Sequence, residues 1–419
     1  MLQWCPRPLP CLGTQRGVPI PVTRRTKKIL SVIGAVVVVL GGIGAYGYFL
    51  STTAALERAE SFQFRRMQVA KVSEEGVYRF FFVTNRTAEG TEGPLEARLT
   101  RTRGDTLRLG SFDTEIEPTL GLGMWLDASG WFLDEEIRIR QVQELKESDF
   151  VEQVRAMVDQ SPQRALLLLI HGYRTDFDHA LRGTAFLAHI LDINAPVMVF
   201  DWPGDQGDSL RGYRRARQVA TDSAQELAAT LRLINREIRP ERLWLIANSL
   251  AGEVAVEAVS RLYEEADFAG PETEIDELVL TAPDADYARF NSAFKGKLAA
   301  VAGNTTVYVS SNDRALLVSR VINRGRRLGQ STLSKADAEL FEEVEGLLEL
   351  MEPGSERVAL IDVTPINRTR NFHNFSLEVP EYFDDVFLRL TNPETPQNRL
   401  RYRFRTPEGK LYSVLTRGR

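Results

Sequence analysis

Six short apolar runs, at residues 165–170, 197–200, 243–246, 278–280, 306–309 and 358–363, alternate with stretches whose apolar residues recur at helical spacing. Strands buried on both faces read as continuous apolar runs, and parallel neighbours need a long crossover between them, usually a helix. The alternation therefore predicts an α/β fold, a doubly wound and mostly parallel sheet with helices on both sides. Ahead of it, residues 77–86 form a strongly β-forming run, and shorter strand-like pieces at 95–101, 106–112 and 136–143 predict an antiparallel opening to the sheet. With 419 residues, 43% of them hydrophobic, the chain can bury such a core.

The third run ends in Ala247-Asn248-Ser249-Leu250-Ala251, and a helical pattern starts at once behind it. A serine on a tight strand-to-helix turn is the layout of a nucleophile elbow, which lifts a weakly nucleophilic hydroxyl to where a base can reach it. The following helix points its free N–H groups at the same spot, where an oxyanion would form. The usual pattern is G-x-S-x-G, because side chains two residues either side of the serine crowd the turn. Here both places hold alanine, and glycine comes one step late, at Gly252. An ordinary junction with a serine cap would read the same over these five residues, so the neighbours decide.

A serine nucleophile needs a base, and the chain holds four histidines. In this fold the triad follows the chain order Ser, Asp or Glu, His. His171, His179 and His189 precede Ser249, which leaves His373, beyond the last apolar run, as the candidate base. The orienting acid has two candidates: Asp313, after the run at 306–309, is preferred, and Asp284, one strand earlier, is the alternative. Leu250, directly after the serine, supplies one oxyanion-hole N–H, and the loop His171-Gly172-Tyr173 supplies the other from Gly172 or Tyr173. His171 itself reads as a structural hydrogen-bonding residue.

Several segments together resemble an uncharacterised bacterial family of esterase/lipase-like α/β-hydrolases. They are Phe82-Val83-Thr84-Asn85-Arg86, His171-Gly172-Tyr173, Asp201-Trp202-Pro203, the elbow, Ala282-Pro283-Asp284 and Ser310-Ser311-Asn312-Asp313-Arg314. The resemblance spans roughly residues 76–390 and implies the α/β-hydrolase fold and a Ser-Asp-His triad. Relatives usually carry Ala-His-Ser-Met-Gly at the elbow, where this chain has Asn248 and Ala251. The expectation is a serine hydrolase that cleaves carboxylic esters through an acyl-enzyme. Two alternatives stay open: a non-catalytic binding module on the same fold, and an acyltransferase using the same triad.

The N-terminal part points to a membrane. Residues 29–50 form an uncharged run of 22, which as a helix would be about 33 Å long and span a hydrocarbon core. Arg24, Arg25, Lys27 and Lys28 precede it and no acid does, so the N-terminus is expected in the cytoplasm and the rest outside, as a single-pass inner-membrane protein. A cleaved signal peptide is the competing reading, because residues 51–55 are small. The expected organisation is a basic tail at 1–28, the membrane helix at 29–50, a linker at 51–75, the hydrolase domain at 76–392 and an extension at 393–419. Residues 332–352 pattern as an amphipathic helix, either packed on the core or forming a lid.

Other chemistries find little purchase. The net charge of −5 speaks against a nucleic-acid partner, and Cys5 and Cys11 both precede the apolar run, leaving no thiol for zinc or redox work beyond it. No nucleotide-binding G-x-x-x-x-G-K-[ST] or metal-binding H-E-x-x-H pattern occurs, so neither metal nor cofactor is expected.

Overall fold

The computed structural model of the chain describes residues 67–72, 76–116, 137–264, 275–286, 290–310, 313, 358–368, 375–392, 398–405 and 411–417. The expected membrane run at 29–50, the amphipathic stretch at 332–352 and His373 lie outside the described residues. Among the described residues no helix is long and apolar enough to cross a membrane.

Eleven strands form one mixed sheet. They are β1 (Val77–Ala88), β2 (Leu99–Ile116), β3 (Ile137–Leu145), β4 (Ala165–Ile170), β5 (Val197–Asp201), β6 (Arg242–Asn248), β7 (Ile275–Thr281), β8 (Ala302–Val309), β9 (Val358–Asp362), β10 (Arg401–Arg405) and β11 (Leu411–Leu415). Their order across the sheet is β10-β11-β9-β8-β7-β6-β4-β5-β1-β2-β3. All six apolar runs are strands of the parallel centre. The opening is antiparallel as expected, β1 to β2 and β2 to β3, while β1 itself joins the centre in parallel with β5.

The opening differs in detail from the sequence reading. Residues 95–98 make a single helical turn after Pro94, and the two pieces expected at 95–101 and 106–112 merge into the one long strand β2. Proline at the helix start supplies a fixed φ suited to a turn, which propensity alone does not weigh. The end of the expected linker also packs on the core, with Met67 and Ala70 both buried. Residues beyond 392 supply β10 and β11, the latter parallel to β9.

Alternation along each strand sends neighbouring side chains to opposite layers. In β1, Phe81 meets Phe150 edge-on in one layer, and Phe82 meets Phe177 edge-on in the other. The first layer is covered by α1 (Glu147–Gln160), α3 (Leu210–Leu233), α4 (Ala251–Glu264) and α5 (Lys295–Val301). The second is covered by α2 (Phe177–Leu191) and α6 (Pro380–Thr391).

The topology fixes where a site belongs. The chain passes from β4 to β5 on one side, then returns across to β6 on the other side of β4. Ligands in open α/β sheets bind outside the carboxyl ends of the strands at such a reversal. Gly172 follows β4 and Ser249 follows β6, so the two candidate elements flank this crevice.

Candidate active site

Ser249 holds a left-handed φ of 56°. An L-residue pays roughly 1–2 kcal/mol for that conformation, so it persists only where the surroundings impose it. They do so through three backbone bonds: Ser249 N donates to Thr281 O at 2.9 Å, and Ser249 O accepts from Gly252 N at 2.9 Å and Asp284 N at 3.0 Å. The turn is thereby tied to β7 on one side and to the first turn of α4 on the other. Tight packing also explains the displaced glycine. A Cβ at Gly252 would sit 2.8 Å from Pro283 Cβ, whereas Ala251 is accommodated fully buried. Crowding in this elbow falls one residue later than the usual pattern assumes.

The loop after β4 comes up against the serine. A Cβ on Gly172 would lie 3.2 Å from Asn248 O and 3.3 Å from Ser249 Cβ, so only glycine leaves this approach unstrained. Leu250 and Tyr173, expected oxyanion donors along with Gly172 as the alternative to Tyr173, flank this contact. Among the described residues neither of their N–H groups donates to a backbone carbonyl.

A buried charge network underlies the loop. Arg86, at the end of β1, reaches Asp201 Oδ2 with Nε at 2.8 Å and Asp205 Oδ1 with Nη1 at 2.7 Å, and donates through Nη2 to Trp202 O and Thr175 O. Thr84 Oγ1 donates to Asp201 Oδ2 at 2.5 Å. His171 Nε2 meets the other oxygen, Asp201 Oδ1, at 3.0 Å, and the imidazole stacks 4° from parallel on Trp202. Trp202 Nε1 donates to His171 O at 2.8 Å, and Arg174 N donates to Gly204 O at 3.1 Å. The path of His171-Gly172-Tyr173 is thus set from below by side chain and backbone together. Burial opposes the ionisation of Asp201, but the Arg86 charge and the hydrogen bond from His171 outweigh it and hold the carboxyl below its ordinary value. His171 acts here as a structural hydrogen-bonding residue, as the sequence implied.

The two candidate acids sit differently. Asp284 is buried after β7, and one of its oxygens accepts from Tyr213 OH at 2.6 Å. The Tyr213 ring in turn meets Tyr173 edge-on, linking α3 to the loop after β4. Asp313 is also buried, four residues beyond the end of β8.

His373 lies outside the described residues; the described chain before and after it makes the following contacts. Upstream, Val363 N donates to Val309 O at 2.9 Å and Asn367 Nδ2 donates to Ser310 Oγ at 2.8 Å, binding the chain after β9 to the segment that leads to Asp313. Downstream, Ser376 Oγ donates to Asn248 Oδ1 at 3.3 Å, immediately beside Ser249 in the chain. A small apolar cavity of about 20 Å³, lined in part by Asn248, Ser376, Leu377 and Tyr382, lies at this junction.

Sequence reasoning missed the partners that hold these groups. Arg86 was a residue of a strand motif and Asp201 of a resemblance, and neither was read as part of a site. The available signal was a run of buried β residues ending in an arginine, since a charge there needs a buried partner. Nothing in the sequence pointed to the Asn248–Ser376 contact.

The turn, the glycine loop and the strand reversal define an α/β-hydrolase. Residues 146–375 match the family described as "Alpha/beta hydrolase of unknown function (DUF900)", and the chain belongs to it. No curated protein matches the chain. Among solved structures, the butyrate-bound esterase Est2 of Thermogutta terrifontis is 12% identical, over 55% of this chain and 85% of that one, with a TM-score of 0.30. An inhibited esterase B from Lactobacillus rhamnosis is also 12% identical, over 72% and 95%, with a TM-score of 0.26. At that distance neither fixes a substrate.

Proposed function

We propose that the protein is a membrane-anchored serine hydrolase that cleaves carboxylic esters through an acyl-enzyme. The observation that carries this reading is the strained, left-handed Ser249 at the β6–α4 turn with the Gly172 backbone packed against it. Left-handed strain at a serine facing a glycine loop suits a presented nucleophile.

In this reading Ser249 Oγ attacks the ester carbonyl while His373 takes its proton. The N–H groups of Leu250 and of Gly172 or Tyr173 receive the oxyanion. The tetrahedral intermediate then collapses, His373 returns the proton to the departing alcohol, and water activated by the same imidazole clears the acyl group. Ser376, three positions after His373 in the sequence, donates to Asn248 Oδ1 next to Ser249, which supports choosing His373 as the base. Asp313 is preferred as the orienting acid because it follows β8, between the serine and the histidine in the expected chain order, with Asp284 as the alternative.

Hydrolysis of p-nitrophenyl esters of graded chain length tests the assignment. Asp313→Asn should lower kcat by about 10⁴, with Asp284→Asn far milder. The reverse ranking would move the acid to Asp284. An intact fold without turnover on any ester would favour the non-catalytic module, and transfer to added alcohols at the expense of hydrolysis would favour the acyltransferase. The anchor rests on residues 29–50, and mass spectrometry of the mature N-terminus tests it: a chain that starts near Ala54 has lost the segment and is not anchored by it.

A further inference from the structure

We propose that the β10–β11 hairpin is a docking surface for the anionic headgroup plane of a phospholipid bilayer. β10 is the outermost strand at its end of the sheet. Tyr402 and Phe404, two residues apart on the same face, are 50% and 45% exposed. Residues 398–419 carry seven basic residues against a single acid, Glu408, in a chain whose net charge is −5. Arg399, Arg403 and Arg417 are exposed, and among the described residues none of them makes an ion pair. Thr416 N donates to Leu400 O at 2.9 Å, which brings Arg417 alongside Arg399. Like charges placed opposite each other across strands are destabilising, so folding alone does not account for the arrangement.

The hairpin is rigidly mounted. Arg401 forms a paired contact with the fully buried Asp385, through Nη2 at 2.5 Å and Nε at 3.1 Å. Asn398 Nδ2 at 2.7 Å and Tyr308 OH at 2.6 Å complete the shell of that carboxylate. Charges on an exposed edge strand commonly protect it from pairing with other chains. That accounts for the arginines and not for two exposed aromatic rings among them, which would favour such pairing. Aromatic rings at the headgroup level beside cations on anionic lipid account for both. A plane meeting the sheet edge-on receives the rings from one face and Arg403 from the other. The inference needs neither the hydrolase reading nor the anchor.

The test is backbone hydrogen exchange of residues 401–405 in the full chain, reconstituted in phosphatidylcholine vesicles with and without phosphatidylglycerol. Exchange should be about tenfold slower with the anionic lipid, and the difference should vanish at high salt. Each arginine removed in R399Q, R403Q and R417Q should weaken the effect by about fivefold, and Y402A/F404A should weaken it without changing its salt dependence. Exchange that is indifferent to lipid charge in the wild-type chain overturns the proposal. So does protection by an anionic oligonucleotide without protection by the vesicles, which would assign the surface to nucleic acid. Should a variant lose the hairpin outright, the wild-type salt titration still decides.

Discussion

The two sides of the candidate site are held by different physics. On the side of the loop after β4, Arg86, Asp201 and Asp205 form a desolvated charge network under Gly172. On the side of the candidate acid and base, three described ties join neutral groups: Asn367 to Ser310, Ser376 to Asn248, and Val363 N to Val309 O. Removing one member of a buried charged set strands the others, whereas a neutral hydrogen bond contributes about 1 kcal/mol net. In the proposed mechanism the charged network would supply preorganisation where a negative charge develops and must be met without rearrangement.

Arg86→Met should break that comparison most severely. With two carboxylates left buried beside the loop, unfolding free energy should fall by about 3–5 kcal/mol in a denaturant titration. A loss under 1 kcal/mol would mean that the network does not hold this half. Gly172→Ala probes the same loop through sterics, and its Cβ would press on Asn248 O and Ser249 Cβ. Turnover should drop about 10²–10³-fold, comparable to the loss of one oxyanion donor, with a much smaller change in the unfolding midpoint. On the other half, Asn367→Ala should cost only about 1 kcal/mol. Ser249→Gly should stabilise the fold by up to about 1 kcal/mol, since glycine adopts the left-handed φ freely, while removing the proposed nucleophile. A destabilised Ser249→Gly would show that the strain at this turn is not what the backbone angle indicates.

Acidification probes the charged half. A carboxyl whose folded pKa is lowered contributes stability that is full above the unfolded value of about 3.9 and is lost as the pH falls through the folded value. Asp201 is such a group, and so is Asp176, which the hydrogen bond from His179 draws down to about 2. The wild-type chain should therefore keep the contributions of Asp201 and Asp176 to pH values below the ordinary carboxyl range. In Arg86→Met the Asp201 contribution should disappear at higher pH, because its largest favourable partner is gone. Superimposable acid transitions of the two proteins would show that Arg86 does not govern that carboxylate.

Much of this was legible in the sequence because apolar runs and chain order are local signals. The six central strands and the turn at Ser249 follow from them. What escaped depends on contacts between residues far apart in the chain. Arg86 and Asp201 lie 115 positions apart and Asn248 and Ser376 lie 128 apart, distances over which periodicity carries no information. The merger of the early strand pieces into β2 and the helical turn at 95–98 were missed for a different reason, since pairing with β1 and the geometry after Pro94 override the preference of each short piece. The glycine displaced to 252 looked like a defect of the motif, and the packing against Pro283 shows that it is where this elbow has no room.

The central claim is that the strained turn after β6 presents a reactive hydroxyl. Treating the full chain with a fluorophosphonate and mapping the modified peptide by mass spectrometry tests it most directly. The expected result is a single adduct on Ser249, lost in Ser249→Ala and strongly slowed in His373→Ala. An adduct on another residue, or labelling that persists in Ser249→Ala, would contradict it.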